Sequence, residues 1–496
     1  MARLSLQWMT RHTDTYDVGT SKCVKKTAVR VGIYNYGFFM SRYGSDLTDG
    51  PVTPTLMRFA SPLLITLCLH TLSGTWNAIW VSHVLGPNEL IAVVNANVLL
   101  VIMMSVVNGF GMAAGVFVGQ AIGAGDIQTA HRVVGTSITF AALGGIALAA
   151  LGYFGVHVIV DLLLMPEEIR TSLITFFRIV CLSMPTLFLF VFTTMILRSS
   201  GDAKTPSIFS TLWIFLGLIL TPLLLTGTFG IPQLGIAGAA ISGWLANVLA
   251  LLALLIYVYY RRLPLALRGD NLRYLRPDVS ILFNLARRAI PAAAESIIIQ
   301  GSYFMLLSLV NTYGVLTAAG YSAAAQLWGY VQIPAIAIGT SMSAMAAQNI
   351  GAGRWDRVDE IAKYGCLLSF SVTTIAALFV YALGEAPLRL FLPSGGESLQ
   401  IAIEINQVVL WCWPAISITF GLFAVVRANG VMLPSAIIFA ITLWGLRVPF
   451  ANLLQPMLGP AAIWWSFPVG TFTSAVLAYG YYRLGRWRQP APMRAL

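Results

Sequence analysis

Twelve stretches of predominantly apolar residues decide what this chain can fold into. They run over about 55–82, 90–122, 131–158, 171–197, 207–229, 235–260, 285–311, 316–349, 360–383, 401–426, 434–455 and 461–482. Each is as long as the roughly 20 residues that carry a helix across a bilayer. A water-soluble fold is excluded by composition: 57% of residues are hydrophobic and 10% charged, where soluble domains carry about 25% charged residues. The expectation is an all-α integral membrane protein with twelve transmembrane helices.

The runs are arranged as a duplication. Gln120-Ala121-Ile122-Gly123-Ala124-Gly125 returns as Gln348-Asn349-Ile350-Gly351-Ala352-Gly353. Small residues lead into each copy at every fourth position: Gly111, Gly115 and Gly119 in the first, Gly339, Ser343 and Ala347 in the second. On a helix this spacing lets another backbone approach closely. Gly125 and Gly353 can take the left-handed conformation that ends a helix. Other anchors recur at a nearly constant offset: Arg58, Ala60 and Pro62 with Arg287, Ala289 and Pro291; Pro185 with Pro414; Arg198 and Gly201 with Arg427 and Gly430; Pro206 with Pro434. Pro62 and Pro291 read as first-turn prolines opening the first and seventh helices. The chain is therefore expected as a six-helix lobe over 51–262, a basic linker over 263–284 and a second six-helix lobe over 285–485. Polar segments at 1–50 and 486–496 flank them. Six is even, so both lobes enter the membrane from the same side and are parallel repeats, an arrangement suited to alternating access.

Residues 1–50 lack periodicity and an apolar core for a signal peptide. They are read as a disordered tail, or as the product of an upstream start with Met40 as the true one. Charge placement sets the orientation. With the N-terminus in the cytoplasm, all of the 30 Lys and Arg residues except Arg170, Arg178, Arg389 and Arg447 fall on cytoplasmic segments. That is the positive-inside pattern, and it puts both termini in the cytoplasm of a multi-pass inner-membrane protein. It also accounts for the net charge of +11 without a nucleic-acid partner, for which no basic patch on a soluble domain exists. The five cysteines have no paired spacing and read as apolar fillers, neither disulfides nor metal ligands.

No phosphate-binding loop, metal-site spacing or nucleophile–base pair appears, so enzyme chemistry and a bound cofactor are not expected. Coupling to an ion gradient remains, and it calls for an ionisable group inside the membrane. Glu295 lies one turn past Pro291 in an apolar run. Burial favours the neutral form of a carboxyl group, so proton loading there can be tied to which side is open. The alternative is a structural carboxylate hydrogen-bonded across helices. At the same offset the first half has Thr66, so the halves differ chemically at this point. Thr66, His70, Ser73 and Asn77 lie at steps of 4, 3 and 4 on one face of the first helix. A polar stripe in a span faces a wet cavity or bonds neighbouring helices, and His70 can titrate near neutrality. Asn95, Asn97 and Asn108 are candidates of the same kind, as is Ser302 on the seventh helix. Arg178 and Arg447 are expected to pair with a carboxylate or a helix C-terminus.

Taken together, these residues resemble the multidrug and toxic compound extrusion (MATE) transporters. The resemblance spans about Ser45 to Arg483. It rests on the doubled Gln120–Gly125 and Gln348–Gly353 phrases with Arg354, on Leu197-Arg198-Ser199-Ser200-Gly201-Asp202-Ala203-Lys204-Thr205-Pro206, and on Arg447-Val448-Pro449 followed by Leu458–Trp464. It implies a V-shaped, two-lobed exporter that exchanges protons or sodium for organic, often cationic, compounds. Where many members carry an aspartate on the first helix this chain has Asn77. Where the sodium-coupled branch carries acidic residues it has Ile299 and Ile416. Glu295 is similar to the DNA-damage-inducible branch. The resulting expectation is a proton-coupled antiporter of small organic compounds, acting as a monomer in membrane lipid, with Glu295, His70 and Asn77 in coupling. Sodium is the second candidate ion, and a lipid-linked oligosaccharide or lipid flippase is the alternative function.

Overall fold

The computed structural model describes residues 47–162, 167–227, 232–393 and 395–489. Of the tail expected over 1–50, residues 1–46, with Cys23 and Met40, lie outside them, as do residues 490–496; its last residues are not a loose tail, since Leu47 and Thr48 are buried and Leu47 packs in the apolar core. The first half holds α1 (Val52–Leu85), α2 (Pro87–Gly123), α3 (Ile127–Leu162), α4 (Glu167–Ser199), α5 (Lys204–Thr226) and α6 (Gly235–Tyr260). The second holds α7 (Val279–Asn311), α8a (Val315–Val331), α8b (Ile333–Gly351), α9 (Trp355–Ala382), α10a (Glu397–Val409), α10b (Cys412–Ala428), α11 (Leu433–Leu458) and α12 (Ala461–Leu484).

Among the described residues, ten helices are long and apolar enough to cross a membrane, and the bent pair α10a–α10b makes an eleventh. The remaining apolar run is α8a plus α8b, parted at Gln332 with Pro334 in the first turn of α8b. Large apolar side chains such as Phe154, Ile219 and Val476 stand exposed around the outside, as a lipid-facing surface requires.

The halves differ in continuity. α2, α4 and α5 run unbroken, whereas α8 and α10 are interrupted and α11 contains a π-helical stretch, Ala440–Arg447. Pro185 and its counterpart Pro414 show that the proline alone does not decide this, since α4 accommodates Pro185 in its interior while α10 bends by 47° three residues before Pro414. Pro62 and Pro291 are not in first turns. α1 starts at Val52 and α7 at Val279, so both prolines lie inside their helices. The helices extend past the apolar runs into polar sequence, and Asp278 caps α7 by accepting from the Ser280 and Ile281 amides. The Ser61 hydroxyl, at 3.4 Å from the Arg58 carbonyl, partly replaces the amide that Pro62 cannot supply.

Leu47 and Gln489, the first and last described residues, lie at one end of the bundle, called the terminal end. Asn349, at the close of α8b, donates to the Leu47 carbonyl at 3.0 Å, and Asn429, just past α10b, donates to the Gln489 carbonyl at 2.9 Å. The apolar core there is shared: Leu56, Phe59 and Ala203 of the first half pack in one cluster with Met342, Ala347 and Phe423 of the second. Away from this end the core divides into a first-half cluster around Val81, Phe177 and Leu225 and a second-half cluster around Tyr321, Trp328 and Phe467. The lobes are thus joined at the terminal end and separately packed at the other.

Candidate functional site

The doubled phrase closes the terminal end. α2 and α8b cross so tightly that a Cβ on Gly123 would stand 1.9 Å from the Gln348 carbonyl oxygen, and one on Gly351 would stand 2.0 Å from that of Gln120. Only glycine permits this approach. The glutamines then reach across the lobe boundary reciprocally. Gln120 Nε2 donates to the Ala428 carbonyl at 2.6 Å, and Gln348 Nε2 donates to the Ser199 carbonyl at 2.8 Å. These carbonyls end α10b and α4 and would otherwise lack partners. Gly125 and Gly353 both adopt φ +74°. The amides of Asp126 and Arg354 return to Ala121 and Asn349 at 2.9 Å each, the same helix-ending turn twice.

Just inside this contact lies the broken symmetry at Glu295. Its carboxylate, on α7 and 4% exposed, accepts from Arg427 Nη1 of α10b at 2.5 Å and from the Ser435 hydroxyl of α11 at 2.5 Å. Arg427, one of the repeat anchors, is therefore the counter-charge that a carboxylate at depth needs. At the equivalent place in the first lobe, Thr66 is buried and bonds its own helix at the Pro62 carbonyl, 2.8 Å away. Arg198, the counterpart of Arg427, has a buried Nε with no hydrogen-bond partner among the described residues. Among the described residues, the second lobe has an ion pair at this place and the first has none.

The stripe on α1 borders a cavity of about 440 Å³ inside the first lobe. His70, Ser73 and Asn77 line it from α1, Asn97 from α2, Trp213 and Thr221 from α5, and Gly243 from α6. These positions fall in the second half of α1 and the first half of α2, so the cavity sits in the part of the lobe away from the terminal end. The His70 and Trp213 rings meet edge to face at 6.2 Å. Asn77 Oδ1 is buried and without a partner among the described residues, an acceptor left for whatever enters. No carboxylate is among the lining residues. Recognition there would come from aromatic faces, amides and hydroxyls.

The other candidates lie elsewhere. Thr66 is one turn below the cavity. Asn95 is half-buried, does not line the cavity and bonds the Ile91 carbonyl at 2.9 Å. Asn108 is half-buried further along α2. Ser302 is buried in the second lobe with no partner for its hydroxyl among the described residues. Arg178 and Arg447 do not meet carboxylates. Among the described residues, Arg178 Nη2 stands 2.9 Å from His157 Nε2 while Asp161, one turn further along that helix, is bonded to Arg170, and Arg447 rests on aromatic rings. Trp76, Trp213, Thr221 and Ser435 were not singled out from the sequence. Tryptophans in apolar runs are indistinguishable there from interfacial residues, and nothing along the chain ties Ser435 to Glu295.

The family profile described as MatE matches this chain twice, over residues 62–223 and 291–453. The two matches begin 229 residues apart, from 62 to 291, the spacing of the sequence anchors. "Probable multidrug resistance protein YoeA" of Bacillus subtilis is 31% identical over 427 residues, covering 86% of this chain and 92% of that protein. "Probable multidrug resistance protein YpnP" of the same organism is 29% identical over 444 residues, covering 89% and 97%. The crystal structure of MATE in complex with MaL6 superposes with a TM-score of 0.82 at 19% identity, over 88% of this chain and 97% of that one, which shows the fold. A duplicated bundle of apolar helices, matched in both halves by one profile and along most of its length by these relatives, makes this chain a member of the multidrug and toxic compound extrusion family of membrane transporters.

Proposed function

We propose that the chain is a secondary antiporter that exports small organic compounds, cationic ones among them, in exchange for protons. Sodium is the second candidate ion. The membrane is the inner membrane, and the terminal end faces the cytoplasm, as the placement of Lys and Arg argues. One observation carries the reading: the first lobe holds a mainly apolar cavity, with the polar α1 stripe on one wall, away from the terminal end, while that end is sealed by the reciprocal Gly123–Gly351 crossing. A chain accessible from one side and shut at the other is one state of an alternating-access cycle. The two relatives whose names refer to multidrug resistance support the substrate class.

In this mechanism the cavity takes the compound against Trp76 and Trp213, with Asn77 and Asn97 supplying amide contacts. His70, on the same wall, is the titratable group that compound and proton compete for. Glu295 acts as a second coupling group. Protonating its carboxylate cancels the charge that holds Arg427 and weakens the tie of α7 to α10b and α11, the helices that end beside the closing contact. Opening of the terminal end is then linked to proton transfer.

The test is dye or drug accumulation in everted membrane vesicles under an imposed pH gradient or an imposed sodium gradient. Accumulation driven by the pH gradient, and lost in His70→Ala with the protein still folded, is expected. Folded protein that moves no member of a broad panel under either gradient would sink the reading.

A further inference from the structure

Arg447 is a buried cation with no anion beside it among the described residues. It ends the π-helical stretch of α11, is 3% exposed, and takes part in none of the ion pairs found among the described residues. Its Cζ lies 3.6 Å from the centroid of the Phe467 ring and 5.1 Å from that of Tyr303. A guanidinium keeps its proton in proteins, so it cannot escape burial by becoming neutral. An uncompensated buried charge costs several kcal/mol, and cation–π contacts return about 2 kcal/mol when desolvated. The aromatic faces therefore cover only part of that cost.

What lacks a hydrogen-bond partner is one edge of the guanidinium. Nε and Nη2 are both buried and have no hydrogen-bond partner among the described residues. Those two nitrogens point the same way and form the side-on fork that accepts an anionic group with two hydrogen bonds. The backbone around them is irregular. α10 breaks beside it, and α10b begins at Cys412, a residue within electrostatic reach of the guanidinium, as are Tyr303 and Tyr321. The start of α10b brings the positive end of a 17-residue helix to the same place, which also favours an anion. π-helical stretches recur at functional sites. None of this is repeated in the first lobe, where Leu218 stands at the equivalent offset and α4 is continuous.

We propose that Arg447 is an anion site of the second lobe. It takes a small monovalent anionic group, a halide or a carboxylate, on its Nε–Nη2 edge at the break of α10. The site is separate from the first-lobe cavity, so its failure would leave the antiport reading untouched.

The experiment follows the Tm of the purified protein in lipid nanodiscs through a sodium chloride series and a sodium acetate series. Arg447→Met is run alongside, so that non-specific salt effects appear in both proteins. A wild-type Tm that rises and levels off with chloride, a response absent from Arg447→Met, supports the site with a halide occupant. The same result with acetate alone supports it with a carboxylate occupant, such as an acid group on a transported compound. If Arg447→Met does not fold, saturable quenching of wild-type tryptophan fluorescence by bromide, reversed by chloride or acetate, replaces the comparison. No saturable response in either series, or an equal one in Arg447→Met, overturns the proposal.

Discussion

Replacing Gly123 with valine tests the closing contact directly. A Cβ at that position would stand 1.9 Å from the Gln348 carbonyl oxygen. Ordinary van der Waals contact begins at 3.4 Å, so α2 and α8b would have to part by about 1.5 Å. The obstacle is backbone and cannot rotate aside. Separation also stretches the Gln120–Ala428 and Gln348–Ser199 hydrogen bonds. Overpacking costs about 1–3 kcal/mol and each weakened bond about 1 kcal/mol. A net shift near 3 kcal/mol against the closed terminal end is roughly a hundredfold change in population. The substitution should therefore bias the transporter toward opening there. The readout is alkylation of Ala347→Cys by a water-soluble maleimide, in a background with the five native cysteines replaced. Ala347 is 1% exposed, and its methyl group faces Gly119 across the crossing. Labelling should be slow with Gly123 intact and faster by up to about a hundredfold in Gly123→Val. Unchanged labelling in folded protein would refute the reasoning, since the crossing would then yield without opening.

Glu295→Gln should destabilise by about 3–5 kcal/mol by stranding Arg427, whereas Glu295→Gln with Arg427→Met should recover most of that. Thermal unfolding of the two proteins gives the answer, and equal losses would deny the pair its energetic role. If Glu295 carries coupling, the double variant will fold but lose proton-driven uptake. Trp213→Ala should enlarge the first-lobe cavity and lower dye accumulation severalfold while the fold persists, checked in the same vesicle assay. Asp278 bonds Arg132 at 2.5 Å and caps α7, and the Arg132 guanidinium holds its carboxyl below the usual carboxylate range. The stability it contributes is present above the unfolded value of about 3.9 and is lost as pH falls through the lower folded value. Asp278→Ala should cost about 0.5–2 kcal/mol at neutral pH through loss of the cap, with the difference from wild type shrinking in acid.

Much of the fold was legible because membrane insertion writes itself locally. Apolar length, the proline and glycine anchors and the spacing of Gln120–Gly125 from Gln348–Gly353 are properties of single segments. They led to a duplicated helical bundle and to the residues that the family profile later matched. The α1 stripe was legible for the same reason, since a period of three and four residues places His70, Ser73 and Asn77 on one face. Its use as a cavity wall needed Asn97, Trp213 and Thr221 to come alongside from three other points of the chain. Asn95 and Asn108 share a helix with Asn97 but not its neighbours, and residue type alone could not separate them.

By itself, then, the sequence determined the solvent this protein lives in, the number and doubling of its helical runs, and the places where its halves differ. Tertiary structure decided what those differences mean. Glu295 finds its counter-charge in Arg427, 132 residues away. Arg447 finds the rings of Tyr303 and Phe467 and, among the described residues, no acid. Matching prolines leave α4 whole and α10 broken. Hydropathy and periodicity are set along the chain. The balance of charge burial, pairing and helix continuity is set by what packs against each residue from distant segments, and only the assembled bundle brings those segments together.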